Sequence, residues 1–161
     1  MIDDHSYLLG TWRGEGRGDY PTIDAFTYTE TITFTAIPGK PFLRYEQKTM
    51  SPEGTPMHTE VGFLRSPADG QLEFVLAQPT GQTELLHGHV EDGDGGAVLV
   101  FEDSAVVNSR SAKQVDATIR TYTVDLAGET LTTTFDMAAV GEPLQRHLTS
   151  VLQRVDGEQS Y

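Results

Sequence analysis

The sequence predicts an all-β fold, an antiparallel up-and-down β-barrel closed near its C-terminus by one short helix. Three observations predict it. Apolar and polar residues alternate with period two in one segment after another. Turn-forming clusters of Gly, Pro, Asp and Ser separate these segments at short spacing. No helical period appears before residue 142. Closure into a barrel is preferred over an open sandwich, because it removes exposed strand edges and creates an interior cavity.

The first strand opens on Gly10-Thr11-Trp12-Arg13-Gly14-Glu15-Gly16-Arg17-Gly18. Its alternating glycines beside the only tryptophan suggest close backbone approach at a barrel seam, with Trp12 plugging the end. Tyr28, Glu30, Ile32 and Phe34 then alternate with Thr29, Thr31, Thr33 and Thr35, which places β-branched residues on the wet face. Ile37-Pro38-Gly39-Lys40-Pro41 turns the chain into a strand from Phe42 to Met50. On the next strand Thr59, Val61 and Phe63 share a face, and Ser66-Pro67-Ala68-Asp69-Gly70 forms a hairpin. Leu72, Phe74 and Leu76 carry Gln78 onto their side. Further strands follow over 83–90, 97–101, 115–124 and 131–137, with 103–112 as a connection. Met137 shares a face with Leu131 and Phe135, so Met137 and Gln78 are both predicted to line the cavity. If Met57 joins Thr59, Val61 and Phe63, then His58 faces outward unless a bulge after Pro56 turns it in. Asp156 to Tyr161 is a polar tail expected to fray.

The predicted helix follows Glu142-Pro143, and at helical spacing Leu144, His147, Leu148 and Val151 share its face. An imidazole held rigidly toward an apolar cavity suits a haem axial ligand. The same spacing also suits a hydrogen-bonded core histidine.

Composition narrows the classes. A chain of 161 residues with 37% hydrophobic and 22% charged residues fits one globular domain, 1–161. No apolar run approaches the span of a bilayer, and the acidic start Met1-Ile2-Asp3-Asp4-His5 is unlike a secretory signal, so a cytoplasmic protein is expected. Zero cysteines exclude disulfides, thiolate metal sites, cysteine nucleophiles and covalently attached haem. A formal net charge of −13 repels phosphate backbones and anionic lipid, so neither nucleic acid nor a membrane is expected as partner.

Several motifs fail on context. The glycines of 10–18 miss the G-x-G-x-x-G offset and lack a βαβ unit. Asp92-Gly93-Asp94-Gly95-Gly96 resembles a calcium loop, but position twelve holds Asp103 in place of glutamate. His87 and His89 share a strand face with no third metal ligand nearby. The readable inward faces supply no arginine pair for a fatty-acid carboxylate, and no acid–base constellation for catalysis.

Gly10-Thr11-Trp12-Arg13-Gly14-Glu15-Gly16, Tyr20-Pro21-Thr22-Ile23, Gly39-Lys40-Pro41, Pro56-Met57-His58, Ala77-Gln78-Pro79-Thr80-Gly81 and Pro143-Leu144-Gln145-Arg146-His147-Leu148 occur in this order along nearly the whole chain. In that order and spacing the chain resembles the nitrobindins, haem-binding β-barrels related in shape to fatty-acid-binding proteins. The resemblance implies a barrel of about ten strands holding one ferric, five-coordinate haem b, with His147 as proximal ligand. It implies Met57, His58, Gln78 and Met137 as pocket residues, and Thr22 and Lys113 near the haem periphery. It also implies nitric oxide binding and isomerisation of peroxynitrite to nitrate, with the chemistry at the iron and none at a protein nucleophile. The alternative is a non-enzymatic barrel that carries a lipid or other hydrophobic molecule.

Overall fold

A computed structural model of the chain describes residues 2–127 and 129–155. Ten strands form one closed antiparallel barrel: β1 (Gly10–Tyr20), β2 (Ile23–Ala36), β3 (Phe42–Met50), β4 (Pro56–Arg65), β5 (Gln71–Ala77), β6 (Gln82–Gly93), β7 (Gly96–Asn108), β8 (Val115–Asp125), β9 (Thr130–Ala139) and β10 (Gln145–Arg154). Each strand pairs with its neighbours in sequence, and β1 closes the ring on β10. A 3₁₀ segment, Ile2–Leu8, precedes the barrel.

The C-terminal helix predicted around His147 is replaced by strand β10. Spacing alone is ambiguous there, because Leu148 and Leu152 fit both a helical turn and a two-residue alternation. Pairing with both β1 and β9 decides for the strand. The inward residues are then Leu148, Ser150 and Leu152, while Leu144 and Val151, which the helix would have aimed inward, are 45% and 52% exposed. Two smaller expectations also change. Strand β7 runs on to Asn108, where a connection from residue 103 was expected. The tail 156–161 lies outside the described residues.

The interior has two halves. At one end Leu8, Trp12, Ile32, Phe34, Leu64, Phe74, Phe101 and Leu152 pack into a dry core. Trp12 seals it as the sequence predicts: it is fully buried, its indole N–H donates to the Leu8 carbonyl at 2.9 Å, and the Arg154 guanidinium lies 4.1 Å over its ring. The glycines of β1 are the seam. A Cβ on Gly14 would stand 2.0 Å from the Val151 carbonyl oxygen, and one on Gly16 would stand 2.4 Å from the Tyr28 ring. The other half of the barrel holds no such packing and opens as a cavity.

Candidate functional site

The cavity measures about 580 Å³ and is lined from nearly every strand. Every residue singled out for the pocket contributes to its wall: Thr22, Met57, His58, Gln78, Lys113, Met137 and His147. Thr22 and Lys113 are exposed, at the β1–β2 turn and just before β8.

His147 owes its position to a bulge. On β10, Arg146 pairs with Asp136 and Leu148 with Phe135, so His147 is the extra residue between two consecutive pairs of β9. A bulge re-aims side chains, and here His147 and Leu148 both reach the cavity although they are adjacent in sequence. Strand β1 has a matching irregularity against β2 between Gly18 and Tyr20, and its pairing with β10 ends at Gly18–Leu148. The Asp19 carbonyl is thereby free to accept a hydrogen bond from His147 Nδ1 at 3.0 Å. A carbonyl can only accept, so Nδ1 carries the proton and the lone pair of the neutral ring resides on Nε2. Among the described residues, Nε2 has no hydrogen-bond partner. Rings of Tyr20, Phe26 and Phe135 surround the imidazole at centroid distances of 5.1, 6.3 and 6.1 Å.

The opposite wall settles the facing of β4. Val61 and Phe63 are exposed, while His58, Glu60 and Leu64 form the inward set. The face that Thr59, Val61 and Phe63 share is therefore the outer one. The β3–β4 pairing jumps between Lys48–Thr59 and Met50–Pro56, and past this irregularity Met57 and His58 both border the cavity.

Sequence reasoning missed the polar floor. Arg120 on β8 is buried between two glutamates: Nη1 donates to Glu60 at 2.7 Å, and Nη2 and Nε donate to Glu84 at 2.5 and 3.2 Å. Tyr45 donates to Glu60 at 3.2 Å and Thr118 to Glu84 at 2.6 Å. The two carboxylates also hold pocket residues, since His58 Nε2 donates to Glu60 at 3.2 Å and the Gln78 amide donates to Glu84. The expectation of an interior without an acid–base cluster is thus corrected. The signal was present in β8, where Thr118, Arg120, Tyr122 and Val124 alternate onto one face.

Burial alone would raise the Glu60 carboxyl, but the Arg120 guanidinium and the His58 hydrogen bond pull it down to about 2. Glu30 behaves oppositely. It is desolvated with only partial relief from the Ser150 hydroxyl, which donates at 2.7 Å, and its pKa is pushed up to about 7. Burial and the two facing carboxylates act in opposite directions on Arg120, and the carboxylates hold it well above its ordinary value. The side-chain amide oxygen of Gln47, beside this floor, is buried and has no hydrogen-bond partner among the described residues.

His87 and His89 point outward and pair with Asp103 at 3.9 Å and Glu91 at 2.9 Å. Among the described residues no three His, Cys, Asp or Glu side chains form a metal cluster. A haem iron asks for less, one neutral nitrogen beside a cavity for the macrocycle. His147, with Nδ1 tied to a carbonyl, Nε2 free and aromatic rings around it, fits that demand.

Comparison with known proteins agrees with this geometry. Residues 1–154 match the family model of the THAP4-like, heme-binding beta-barrel domain. A protein named peroxynitrite isomerase from Nocardia farcinica is 46% identical over 148 residues, 91% of this chain and 86% of that one. One named peroxynitrite isomerase 1 from Mycolicibacterium paratuberculosis is 45% identical over 91% of this chain and 90% of its own. The crystal structure of Rv2717c from M. tuberculosis superposes with a TM-score of 0.90 at 40% identity, covering 96% of both chains. A closed ten-stranded barrel, a cavity with a carbonyl-anchored histidine and a family match over nearly the full length make this chain a member of the THAP4-like heme-binding β-barrel family.

Proposed function

We propose that this chain binds one ferric haem b through His147 Nε2 and, so loaded, binds nitric oxide and isomerises peroxynitrite to nitrate in the cytoplasm. The observation that carries the reading is the Nδ1–Asp19 hydrogen bond, which leaves a single unshared nitrogen lone pair at the cavity. The names of the relatives support the activity.

A haem iron supplies a Lewis-acidic, one-electron centre able to take an oxygen of peroxynitrite. The chain contributes the rest. Asp19 fixes the imidazole tautomer and orientation, and Tyr20, Phe26 and Phe135 restrict its rotation. Met57, His58, Gln78 and Met137 form the wall that an incoming anion meets, with His58 and Gln78 oriented by Glu60 and Glu84. Lys113, a cation on an exposed part of the lining, suits a carboxylate at the edge of the bound group, and Thr22 offers a hydroxyl at another part of it. No side chain is asked to act as nucleophile in this reading, because the iron would supply the centre that engages the substrate oxygen.

The lipid-carrier reading loses support at Arg120. A fatty-acid carboxylate needs an available cation, and this buried guanidinium is already claimed by two glutamates. Stopped-flow decay of peroxynitrite separates the cases. Haem-loaded protein is expected to accelerate decay and shift product toward nitrate, and apoprotein is not. Equal rates for the two would refute the enzymatic reading while leaving haem binding intact.

A further inference from the structure

The turn between β9 and β10 breaks a backbone rule. Val140 has φ 49° and Gly141 φ 83°, and the Glu142 N–H donates to the Ala139 carbonyl at 2.9 Å. Two central residues of positive φ are the pattern of a type I′ turn, which asks for Asn-Gly or Asp-Gly. A β-branched side chain suits that first position badly, because it crowds the backbone in the left-handed region. Among the described residues the only other non-glycine with positive φ is Glu129, which is unbranched at Cβ. The surroundings hold the strained turn in place. The Val140 N–H donates to the Gln114 carbonyl at 2.9 Å, and the Ala139 N–H donates to the Tyr20 hydroxyl oxygen at 2.9 Å. Tyr20 in turn donates to the Met137 carbonyl at 3.0 Å. Residues 137–140 make all of these bonds with backbone atoms, so none of them asks for a valine.

The Val140 side chain does not serve the core either. It stands outside the buried cluster and is 42% exposed, yet it lines the cavity. Ile23 and Met57, at the starts of β2 and β4, do the same and are each 47% exposed. The mouth of the cavity thus carries an apolar rim, with Val140 the one member held there against its backbone preference. We infer that Val140 is a ligand-retaining residue: the strained turn holds its side chain over the cavity mouth, where it closes on the edge of a flat hydrophobic ring seated inside. The identity of that ring rests on the haem reading, whereas the choice of residue rests on the turn. Strain that stabilises no part of the empty protein is the mark of a ligand contact. The bond to Gln114 also ties Val140 to the segment that brings Lys113 to the same cavity. An amphiphilic edge, part apolar and part carboxylate, is what such a rim fits.

Val140→Asn tests this, because its effects on fold and on ligand have opposite signs. Asparagine relieves the turn, so the unfolding equilibrium constant of the apoprotein in urea should fall roughly fivefold or more. It also removes the apolar contact, so hemin should leave on the order of fivefold faster when captured by excess apomyoglobin. Metal-free protoporphyrin IX makes no bond to the His147 nitrogen, and its affinity, read by fluorescence, should fall by a similar factor. Val140→Ile keeps both the strain and the contact and should behave as wild type in all three measurements. A Val140→Asn protein that is more stable yet holds both porphyrins as tightly as wild type would overturn the inference. So would one that is less stable than wild type, since the valine would then serve the fold. Failure of the haem reading looks different. Wild type would then bind hemin no more tightly than protoporphyrin IX, and the protoporphyrin comparison would still decide on Val140. A wild type that retains neither ring would overturn both.

Discussion

The role proposed for His147 rests on the proton it donates: with Nδ1 spent on the Asp19 carbonyl, Nε2 is the nitrogen left for a ligand. Two other residues govern how the site responds to acid and base. Glu30 has its folded pKa raised to about 7 from 4.5, so the folded state holds a proton that the unfolded chain has released between those values. Stability from this group is present below the unfolded value and falls as pH rises through that window, by up to about 3 kcal/mol. Glu30→Gln keeps a partner for Ser150 and removes the titration. Urea melts of that variant should lose less stability than wild type between pH 5 and pH 8, and an identical pH slope would refute the assignment. Glu60 works in the other direction, with stability present above 4.5 and lost as pH falls toward about 2. Arg120 is what holds it there. Arg120→Met would leave Glu60 and Glu84 facing each other without a cation, so a loss of about 3–5 kcal/mol is expected in urea unfolding at neutral pH. A loss below about 1 kcal/mol would mean that the pair is hydrated rather than buried.

The strands explain how an irregular site is made from regular parts. Regular alternation would send His147 and Leu148 to opposite sides of β10, and Met57 and His58 to opposite sides of β4. In both pairs the two residues reach one cavity beside a register irregularity. The possible bulge after Pro56 could be anticipated from the sequence, because Met57 and His58 could not otherwise share a side. The β10 bulge could not, since Leu144, Leu148 and Val151 happen to satisfy a helical period and masked a strand whose existence depends on β1 and β9. Long-range pairing overrode local pattern there. The β1 glycines were readable for a simpler reason, that alternate glycines beside a buried tryptophan have few uses other than close approach. Gly14→Val should therefore destabilise the barrel by about 3 kcal/mol or more, because the Val151 carbonyl that its Cβ meets is part of the β1–β10 closure. Chemical denaturation measures it, and a neutral result would show that the seam can open.

Across the barrel, function follows from leaving half of it unpacked. The Trp12 end carries the hydrophobic stability, which lets the opposite end enclose about 580 Å³ and a floor of buried charge. The closed barrel and most inward faces could be read from alternation, and the pocket residues from resemblance. The Glu60–Arg120–Glu84 floor could not, because a charged residue on an inward face looks like a register error until its partners, 60 and 36 residues away in sequence, are seen beside it. In the structure this floor orients His58 and Gln78, while His147 stands on the other wall with its free nitrogen. Everything proposed for the cavity depends on that nitrogen being the haem ligand. Hemin titration followed in the Soret region, on wild type and His147→Ala side by side, tests this most directly. A saturable one-to-one shift in wild type, an affinity on the order of 100-fold weaker in the variant, and recovery of the wild-type spectrum on adding free imidazole are predicted. A His147→Ala protein that keeps wild-type affinity and spectrum would contradict the account.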